Sequence, residues 1–401
     1  MGELHDLERH QRYDRLIEVA RERVAGDPRA LEDRELKGWI GRRWRNLFLT
    51  EAERDDRALG AARGRIPLPG IDRRTERRRL AERFLTGEDR LEWQLQLPPP
   101  TVTDITETTL MFCPGLINGL LPVRAFQDEF PAIEAERGWR LLRSDAHPMR
   151  GCEANVSDLS ASMEEGTGAD AKGEDIPDDE REPPGDVVLL GYSKGAPDAL
   201  TLIARRPDLA ERVRAVVTWG GAVGGSPLAD DAYNTIAGLD LGATGAVINW
   251  LQALYPLIRM DERVRRFDEY DVKTAFQDLT TTVRDEFLVE EEDAFDALNL
   301  PTFSLLGSTK ATEVPLFSVQ GALQLDGIEK PHDMQVPASR GRVPVPLATD
   351  LAIVHAHHWD ITYAPFPRTA RLGSPNLDHQ FPRQAALVAT MLVLAELGIV
   401  E

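Results

Sequence analysis

The sequence predicts an α/β protein in which a mostly parallel β-sheet carries helices on both faces. Two observations lead to this fold class: short apolar runs alternate with helical stretches after residue 100, and strand signals are almost absent before residue 97. Pro98-Pro99-Pro100 separates the two regions as a stiff linker. We therefore expect an N-terminal helical extension at residues 1–97 and an α/β domain at residues 98–401, which includes a helical lid or cap at about residues 227–300.

Chain length and composition agree with one large domain and an appendage. Of the 401 residues, 42% are hydrophobic and 28% are charged, which is usual for a soluble globular protein and not for a disordered one. The net charge of −20 is uneven: the first 100 residues contain 22 basic and 20 acidic side chains, whereas the remaining 301 contain 25 and 47. An acidic body repels nucleic acid and anionic membrane surfaces, so neither is an expected partner.

Cysteine content and the N-terminal sequence indicate the compartment. The two cysteines, Cys113 and Cys152, are too few for a disulfide framework and lack metal-ligand spacing. The first residues are charged and do not resemble a signal peptide, and no run of about 18 apolar residues predicts a membrane span. We therefore expect a cytoplasmic protein without a bound metal.

The elements after the linker are predicted from apolar runs and helical periodicity. Strands are expected at residues 109–113, 139–143, 187–190, 214–219, 302–306 and 351–355, and helices at residues 124–137, 155–165, 194–206 and 382–397. Within the insertion, Trp250, Leu251, Leu254 and Tyr255 form an apolar cluster at helical spacing. This cluster suits the wall of an apolar pocket and suits ordinary packing equally well.

The most informative motif is Gly191-Tyr192-Ser193-Lys194-Gly195, which lies between an apolar strand and a helix. A GxSxG motif in this context predicts a sharp turn that exposes the serine hydroxyl above the sheet. Glycine is needed at both ends of the motif because a Cβ there would clash with neighbouring backbone. The alternative is a serine in an ordinary glycine-rich turn, which the bare pentapeptide does not exclude. The flanking strand and helix favour Ser193 as a catalytic nucleophile.

Together with the turn Cys113-Pro114-Gly115-Leu116 and the later His357-His358-Trp359, this motif resembles the α/β-hydrolase superfamily, in its bacterial esterase and lipase-like branch. The resemblance covers roughly residues 105–401 and leaves the first hundred unexplained. It implies hydrolysis of an acyl bond without a cofactor. It also implies an oxyanion hole formed by the backbone N–H groups of Lys194 and Leu116. The Lys194 ammonium is expected to form an ion pair or to be solvated.

The resemblance further implies a general base after the last strand, where His355, His357 and His358 cluster. The histidine-tryptophan pair that follows the last strand in related hydrolases selects His358. His357 is the reserve, because strand periodicity does not decide which neighbour turns toward the serine. A surface histidine cluster or an adventitious metal site is the alternative.

The third residue that the resemblance implies is a carboxylate that orients the histidine, and it is not found at the common family position. Directly after the strand at residues 302–306 there is no carboxylate, because Ser308, Thr309 and Lys310 follow. The run His332-Asp333-Met334-Gln335-Val336-Pro337 resembles the ND-x-x-VP form of related hydrolases, which makes Asp333 the first choice. Glu313 is the second choice and Asp360 the third.

These observations predict a serine ester hydrolase that acts through an acyl-enzyme intermediate on a small-molecule or lipid-like acyl ester. Thioesters, amides and polyesters are related substrates that the sequence leaves open. The competing prediction is a catalytically idle scaffold whose arginine-rich N-terminal helices dock a partner or a second copy of the chain. For those helices, packing on the domain for stability is the favoured interpretation, because charge runs usually mark solvated faces.

Overall fold

The protein is built on a six-stranded, entirely parallel β-sheet with the strand order β2-β1-β3-β4-β5-β6. A computed structural model describes residues 2–63, 73–86, 97–238, 252, 256–258, 266–371 and 374–401. The strands are β1 (Thr108–Cys113), β2 (Leu141–Arg143), β3 (Asp186–Tyr192), β4 (Val213–Trp219), β5 (Thr302–Ser308) and β6 (Ala348–His355). Each of the six predicted strands is present, because each apolar run was long enough to be buried on both faces of a parallel sheet.

The helices alternate with the strands after residue 100. Those before the sheet are α1 (Glu3–Arg9), α2 (Tyr13–Gly26), α3 (Arg34–Ala52), α4 (Asp56–Arg63) and α5 (Glu76–Phe84). Those between the strands are α6 (Glu129–Arg137), α7 (Cys152–Glu165), α8 (Gly195–Arg205), α9 (Pro207–Ala210), α10 (Pro227–Ile236), α11 (Val272–Gln277), α12 (Thr281–Glu290), α13 (Glu292–Leu298) and α14 (Val319–Asp326), and α15 (Arg383–Glu396) closes the chain. None of the described helices is long and apolar enough to cross a membrane.

Helices cover both faces of the sheet. Leu110 and Phe112 of β1 belong to a core that also contains residues of α6 and α15, whereas Met111 and Cys113 of the same strand pack with residues of α7 and α8. Alternate residues of a strand point to opposite faces, so this division follows from the strand itself. The prediction of a parallel sheet between two helical layers is confirmed.

The order of the strands places a switch point between β1 and β3. From β1 the chain moves outward to β2, and it then returns to the other side of β1 to form β3. Crossover connections leave this position on opposite sides, which opens a crevice at the carboxyl ends of β1 and β3. The turn at Ser193 and the loop that begins at Pro114 both lie at this crevice.

Helix α6 begins five residues later than the sequence predicts. Phe126 has a positive φ of 48°, and its backbone N–H donates to the carbonyl of Thr362 at 2.9 Å. Ala125 also forms an isolated bridge with Tyr363. This stretch of backbone is therefore paired with a distant loop, and the first helical turn starts only at Glu129.

The N-terminal helices pack on the sheet domain through α3. The Trp44 indole N–H donates to Thr390 Oγ1 of α15 at 2.9 Å, and Arg43 forms a buried ion pair with Glu396 of the same helix. After α5, the backbone N–H of Thr86 donates to the carbonyl of Ile353 in β6 at 3.1 Å. The extension therefore shares one hydrophobic core with the sheet. The boundary at residue 97 stays a prediction.

The described part of the insertion is helical, from α10 to α13. The apolar cluster expected at Trp250, Leu251, Leu254 and Tyr255 lies outside the described residues.

Candidate active site

Ser193 lies in a strained turn between β3 and α8. Its φ is +53°, in the left-handed region that non-glycine residues rarely adopt. A Cβ on Gly191 would lie 2.6 Å from Ala196 Cα, and one on Gly195 would lie 2.0 Å from the carbonyl oxygen of Cys113. Only glycine fits at these two positions, so the motif residues are those that the turn requires.

The loop after β1 lies directly against this turn. A Cβ on Gly115 would come within 2.8 Å of Ser193 Cβ, and the next residue, Leu116, lines the same cavity as Ser193. Among the described residues, neither the backbone N–H of Leu116 nor that of Lys194 donates to a backbone acceptor. Two amide donors near Ser193 are thus without a backbone acceptor, and their role as an oxyanion hole stays a prediction.

The Lys194 side chain is buried and paired. Its Nζ lies 2.7 and 2.9 Å from the two carboxylate oxygens of Asp198, one helical turn further along α8. Asp198 also accepts a hydrogen bond from Asn155 Nδ2 at 3.0 Å. Burial works to lower the pKa of Lys194, but the Asp198 carboxylate outweighs it and the pKa lies above its ordinary value. The ammonium is therefore engaged in an ion pair and is not a free base for Ser193.

His358 and Asp333 form a buried pair. His358 Nδ1 lies 2.6 Å from Asp333 Oδ2, and the backbone N–H of His358 donates to the carbonyl of Asp333 at 2.8 Å. The other carboxylate oxygen, Oδ1, accepts from the backbone N–H groups of Gln335 and Val336 at 2.9 and 2.7 Å. Because a carboxylate only accepts, Nδ1 carries the proton and Nε2 presents a lone pair.

Two glycines make room for this pair above the carboxyl ends of β4 and β5. A Cβ on Gly307 would lie 2.6 Å from Asp333 Cβ. Gly220 has a φ of +55°, and a Cβ there would lie 3.3 Å from Asp333 Oδ2 and 3.4 Å from His358 Nδ1. Asp333 thus reaches the end of β5 although the chain has travelled 25 residues past that strand.

Nε2 of His358 is buried and has no hydrogen-bond partner among the described residues. The histidine is held close to the turn by Tyr192, whose hydroxyl donates to the carbonyl of His358 at 3.1 Å and whose ring centre lies 5.0 Å from the imidazole. Tyr192 directly precedes Ser193, so this contact links the histidine to the serine turn. Tyr192 was not among the site residues predicted from the sequence, although its place inside the motif was a signal for a role.

The reserve base His357 is fully engaged elsewhere. Its Nε2 lies 2.9 Å from the carbonyl of Asn376, and its Nδ1 accepts from the backbone N–H of Asp360 at 3.2 Å. Burial lowers the pKa of His357 and keeps it neutral. Asp360, the third-choice acid, accepts from the backbone N–H of Phe381 at 2.9 Å.

The second-choice acid Glu313 is paired with the third histidine of the cluster. His355 Nε2 lies 2.8 Å from Glu313 Oε2, and this hydrogen bond lowers the pKa of Glu313. The described residues contain no group of three or more histidine, cysteine or carboxylate side chains that could hold a metal ion. Of the candidate acids, Asp333 is the one in contact with His358.

A cavity of about 400 Å³ opens at Ser193 and lies between α10 and α14. Its walls include Leu116 and Ala222 near the serine, and Leu228 and Gly321 further out. A cavity of this size suits a small organic ligand.

The chain is similar to known proteins at the level of solved structures. No protein-family model matches the sequence, and no curated protein matches it either. Among solved structures, the chain is similar to a metagenomic carboxyl esterase, with 21% sequence identity, a TM-score of 0.52, and coverage of 76% of this chain and 79% of that chain. It is also similar to a mature lipase from Bacillus licheniformis, with 19% identity, a TM-score of 0.44, and coverage of 65% and 87%.

A third similar structure is lipase 1 from Pelosinus fermentans, with 12% identity, a TM-score of 0.41, and coverage of 72% of this chain and 98% of that chain. The parallel sheet, the turn at Ser193 and the likeness to the carboxyl esterase show that the chain has the α/β-hydrolase fold. This confirms the fold class predicted from the sequence.

Proposed function

We propose that the chain is a serine hydrolase that cleaves carboxylic esters, with Ser193 as the nucleophile, His358 as the general base and Asp333 as the acid that orients the histidine. One observation carries the proposal. His358 has one nitrogen bound to a buried carboxylate and the other buried without a partner among the described residues, and its contact with Tyr192 ties it to the strained turn of Ser193. An unpaired buried polar atom is costly, and active sites are where such atoms are retained.

In the proposed reaction, Nε2 of His358 accepts the proton of the Ser193 hydroxyl as Oγ attacks the ester carbonyl carbon. The N–H groups of Leu116 and Lys194 donate to the oxyanion that forms. The imidazolium then gives its proton to the leaving alcohol, and an acyl-enzyme remains on Ser193. Water, activated by the same imidazole, attacks the acyl-enzyme and releases the carboxylic acid.

In this mechanism Asp333 orients the imidazole and does not take its proton. Its two backbone donors, Gln335 and Val336, hold the carboxylate in position while its second oxygen accepts from the imidazole. The charge of the transient imidazolium is thereby stabilised in a buried environment.

The first test replaces the nucleophile. Ser193→Ala should lower kcat for p-nitrophenyl butyrate by about 10³-fold or more, because the covalent path is lost while binding is kept. Ser318→Ala is the matched control, since Ser318 lines the same cavity. A Ser193→Ala protein that folds and keeps its turnover would refute the proposal.

A fluorophosphonate probe provides an independent test of the same serine. Only an activated hydroxyl reacts quickly with such a probe, so the adduct should be found by mass spectrometry on the peptide that contains Ser193. A chain that stays unlabelled under conditions that label a reference esterase would indicate a catalytically idle scaffold.

A further inference from the structure

The inner part of the cavity at Ser193 is apolar. Ala222, Leu279 and Val336 are buried in one small cluster, and Leu116 packs against it. Apolar walls of this kind bind the hydrocarbon part of a substrate and leave no partner for a polar group. The acyl chain of the proposed substrate therefore fits this part of the cavity.

The outer end of the cavity is polar and open to solvent. Asp231 and Gln324 are exposed residues that line it, and Gln324 Nε2 donates to Asp231 Oδ2 at 2.5 Å. Gln320 and Thr235 are also exposed lining residues. A hydrocarbon chain gains nothing from extending beyond this rim, because its end would remain in water.

The cavity follows the length of α10. The start of this helix is tied to the site, since Ser226 Oγ at its N-cap donates to the carbonyl of Gln335 at 2.5 Å and accepts from the backbone N–H of Leu228 at 3.2 Å. Thr235 lies nine residues after Ser226, which corresponds to about 13 Å along an α-helix. The cavity thus leads outward from Ser193 past Leu228 to the rim.

The Leu228 side chain packs against Gly321 of α14, and both residues line the cavity. A Cβ on Gly321 would lie 3.0 Å from Leu228 Cδ1, a distance at which one of the two side chains must move. Glycine inside a helix costs roughly 0.5–1 kcal/mol relative to alanine. In return, the missing side chain lets Leu228 lie against α14 and not in the cavity.

We propose that Gly321, by leaving room for Leu228 to pack against α14, keeps the cavity open and determines the acyl-chain specificity of this site, which takes linear acyl chains that extend past Leu228. The proposal rests on the ester hydrolysis proposed above. Each methylene that becomes buried in the transition state raises kcat/KM by roughly fourfold. The value of kcat/KM should therefore rise from acetyl to octanoyl esters, and a side chain at position 321 should remove this increase for the longer chains.

The test compares p-nitrophenyl octanoate with p-nitrophenyl butyrate. Gly321→Leu should lower the octanoate-to-butyrate ratio of kcat/KM by roughly tenfold or more, because at least two methylenes lose buried contacts that are worth roughly fourfold each. Gly321→Ala, which improves helix propensity, should give a smaller fall in the same direction. The double variant Gly321→Leu/Leu228→Ala should restore the ratio, because it removes the clash from the other side.

Leu323→Ala is the control on the same helix, because Leu323 is exposed and should leave the ratio unchanged. A ratio that is unchanged in Gly321→Leu and Gly321→Ala, or a loss shared equally by both esters, would overturn the proposal. Wild-type protein that hydrolyses neither ester, or a Ser193→Ala variant that still hydrolyses both, would instead overturn the proposed function. The two failures are therefore distinct.

Discussion

At the scale of single residues, the three late histidines are distinguished by what each nitrogen contacts. His355 is paired with the half-buried carboxylate of Glu313, and His357 uses both nitrogens in backbone contacts. His358 binds Asp333 through one nitrogen and leaves the other unpaired among the described residues. A general base needs a free lone pair and a partner that fixes its tautomer, and His358 meets both needs.

The same contacts predict which acid matters. Asp333→Asn should lower kcat by about 10⁴-fold with little change in KM, because an amide can hold the imidazole in the wrong tautomer. Glu313→Gln and Asp360→Asn are matched controls that change one carboxyl oxygen in a neighbouring residue, and kcat should stay within a few-fold of wild type. The measurement is steady-state kinetics, with kcat and KM of each variant determined on the same activated ester. A large loss in either control with a small loss in Asp333→Asn would assign the acid differently.

The sequence could predict these residues to different degrees, for physical reasons. Ser193 and Lys194 follow from a local motif, because the turn that exposes the serine is built from consecutive residues. His358 was preferred to His357 by resemblance alone. Both residues follow the end of β6, where side chains no longer alternate between the two faces of the sheet, so the residues themselves did not decide which imidazole turns toward the serine. Asp333 was chosen because its run resembles the ND-x-x-VP form, whereas its contact with His358 depends on a loop that returns to β5 past Gly307, which the residues alone do not encode.

At the scale of elements, α3 is the main contact of the N-terminal helices with the rest of the chain. Trp44 and Phe48 are stacked with ring centres 5.2 Å apart, and Phe48 also stacks on Phe381. Arg43 and Glu396 are only 2% and 4% exposed, so this ion pair lies in the core. A buried charge without its partner strongly destabilises a fold. The pair therefore favours the one packing arrangement of α3 on α15 in which both charges meet.

Trp44→Ala should lower the free energy of unfolding by about 3–5 kcal/mol, because a large buried aromatic group is lost and Thr390 loses its donor. The loss should appear as a shift of one cooperative urea transition, since α3 and the sheet share a core. Arg34→Ala is the control, because Arg34 is exposed at the start of the same helix. Two separated transitions, with only the first shifted, would show that the helices fold independently.

Element positions were more predictable than element contacts. The strands follow from apolar runs that a parallel sheet buries on both faces. The start of α6 was not predictable, because the bond between Phe126 and Thr362 joins residues far apart in sequence. The position of α3 on the sheet domain was not predictable from charge, because several arginines of this region form exposed pairs such as Arg15 with Glu18, whereas Arg43 is buried.

At the scale of the whole molecule, several histidines are buried in the neutral form. Burial lowers the pKa of His147 to about 4 and lowers the pKa of His357 and, further still, that of His379. In the unfolded chain a histidine titrates near about 6.5. The unfolded state therefore binds more protons at mildly acidic pH, and acidification favours it.

The free energy of unfolding should be highest above about pH 6.5 and should fall as the pH is lowered toward about 4. Its slope should be about 1.4 kcal/mol per pH unit for each histidine that is protonated only in the unfolded chain. Urea unfolding at several pH values measures this slope. His147→Gln should reduce it, and His10→Gln, which changes an exposed residue, should not. Equal slopes in wild type and His147→Gln would contradict the assignment.

Both outer strands of the sheet are paired with short segments from elsewhere in the chain. Leu85 bridges Val354 of β6, and Ala169 bridges Arg143 of β2. An unpaired outer strand offers a row of N–H and C=O groups to which another chain can add, which is how folded proteins begin to form fibrils. In this fold one short bridge at each edge occupies part of that row, which disfavours such intermolecular pairing and leaves the crevice at Ser193 accessible.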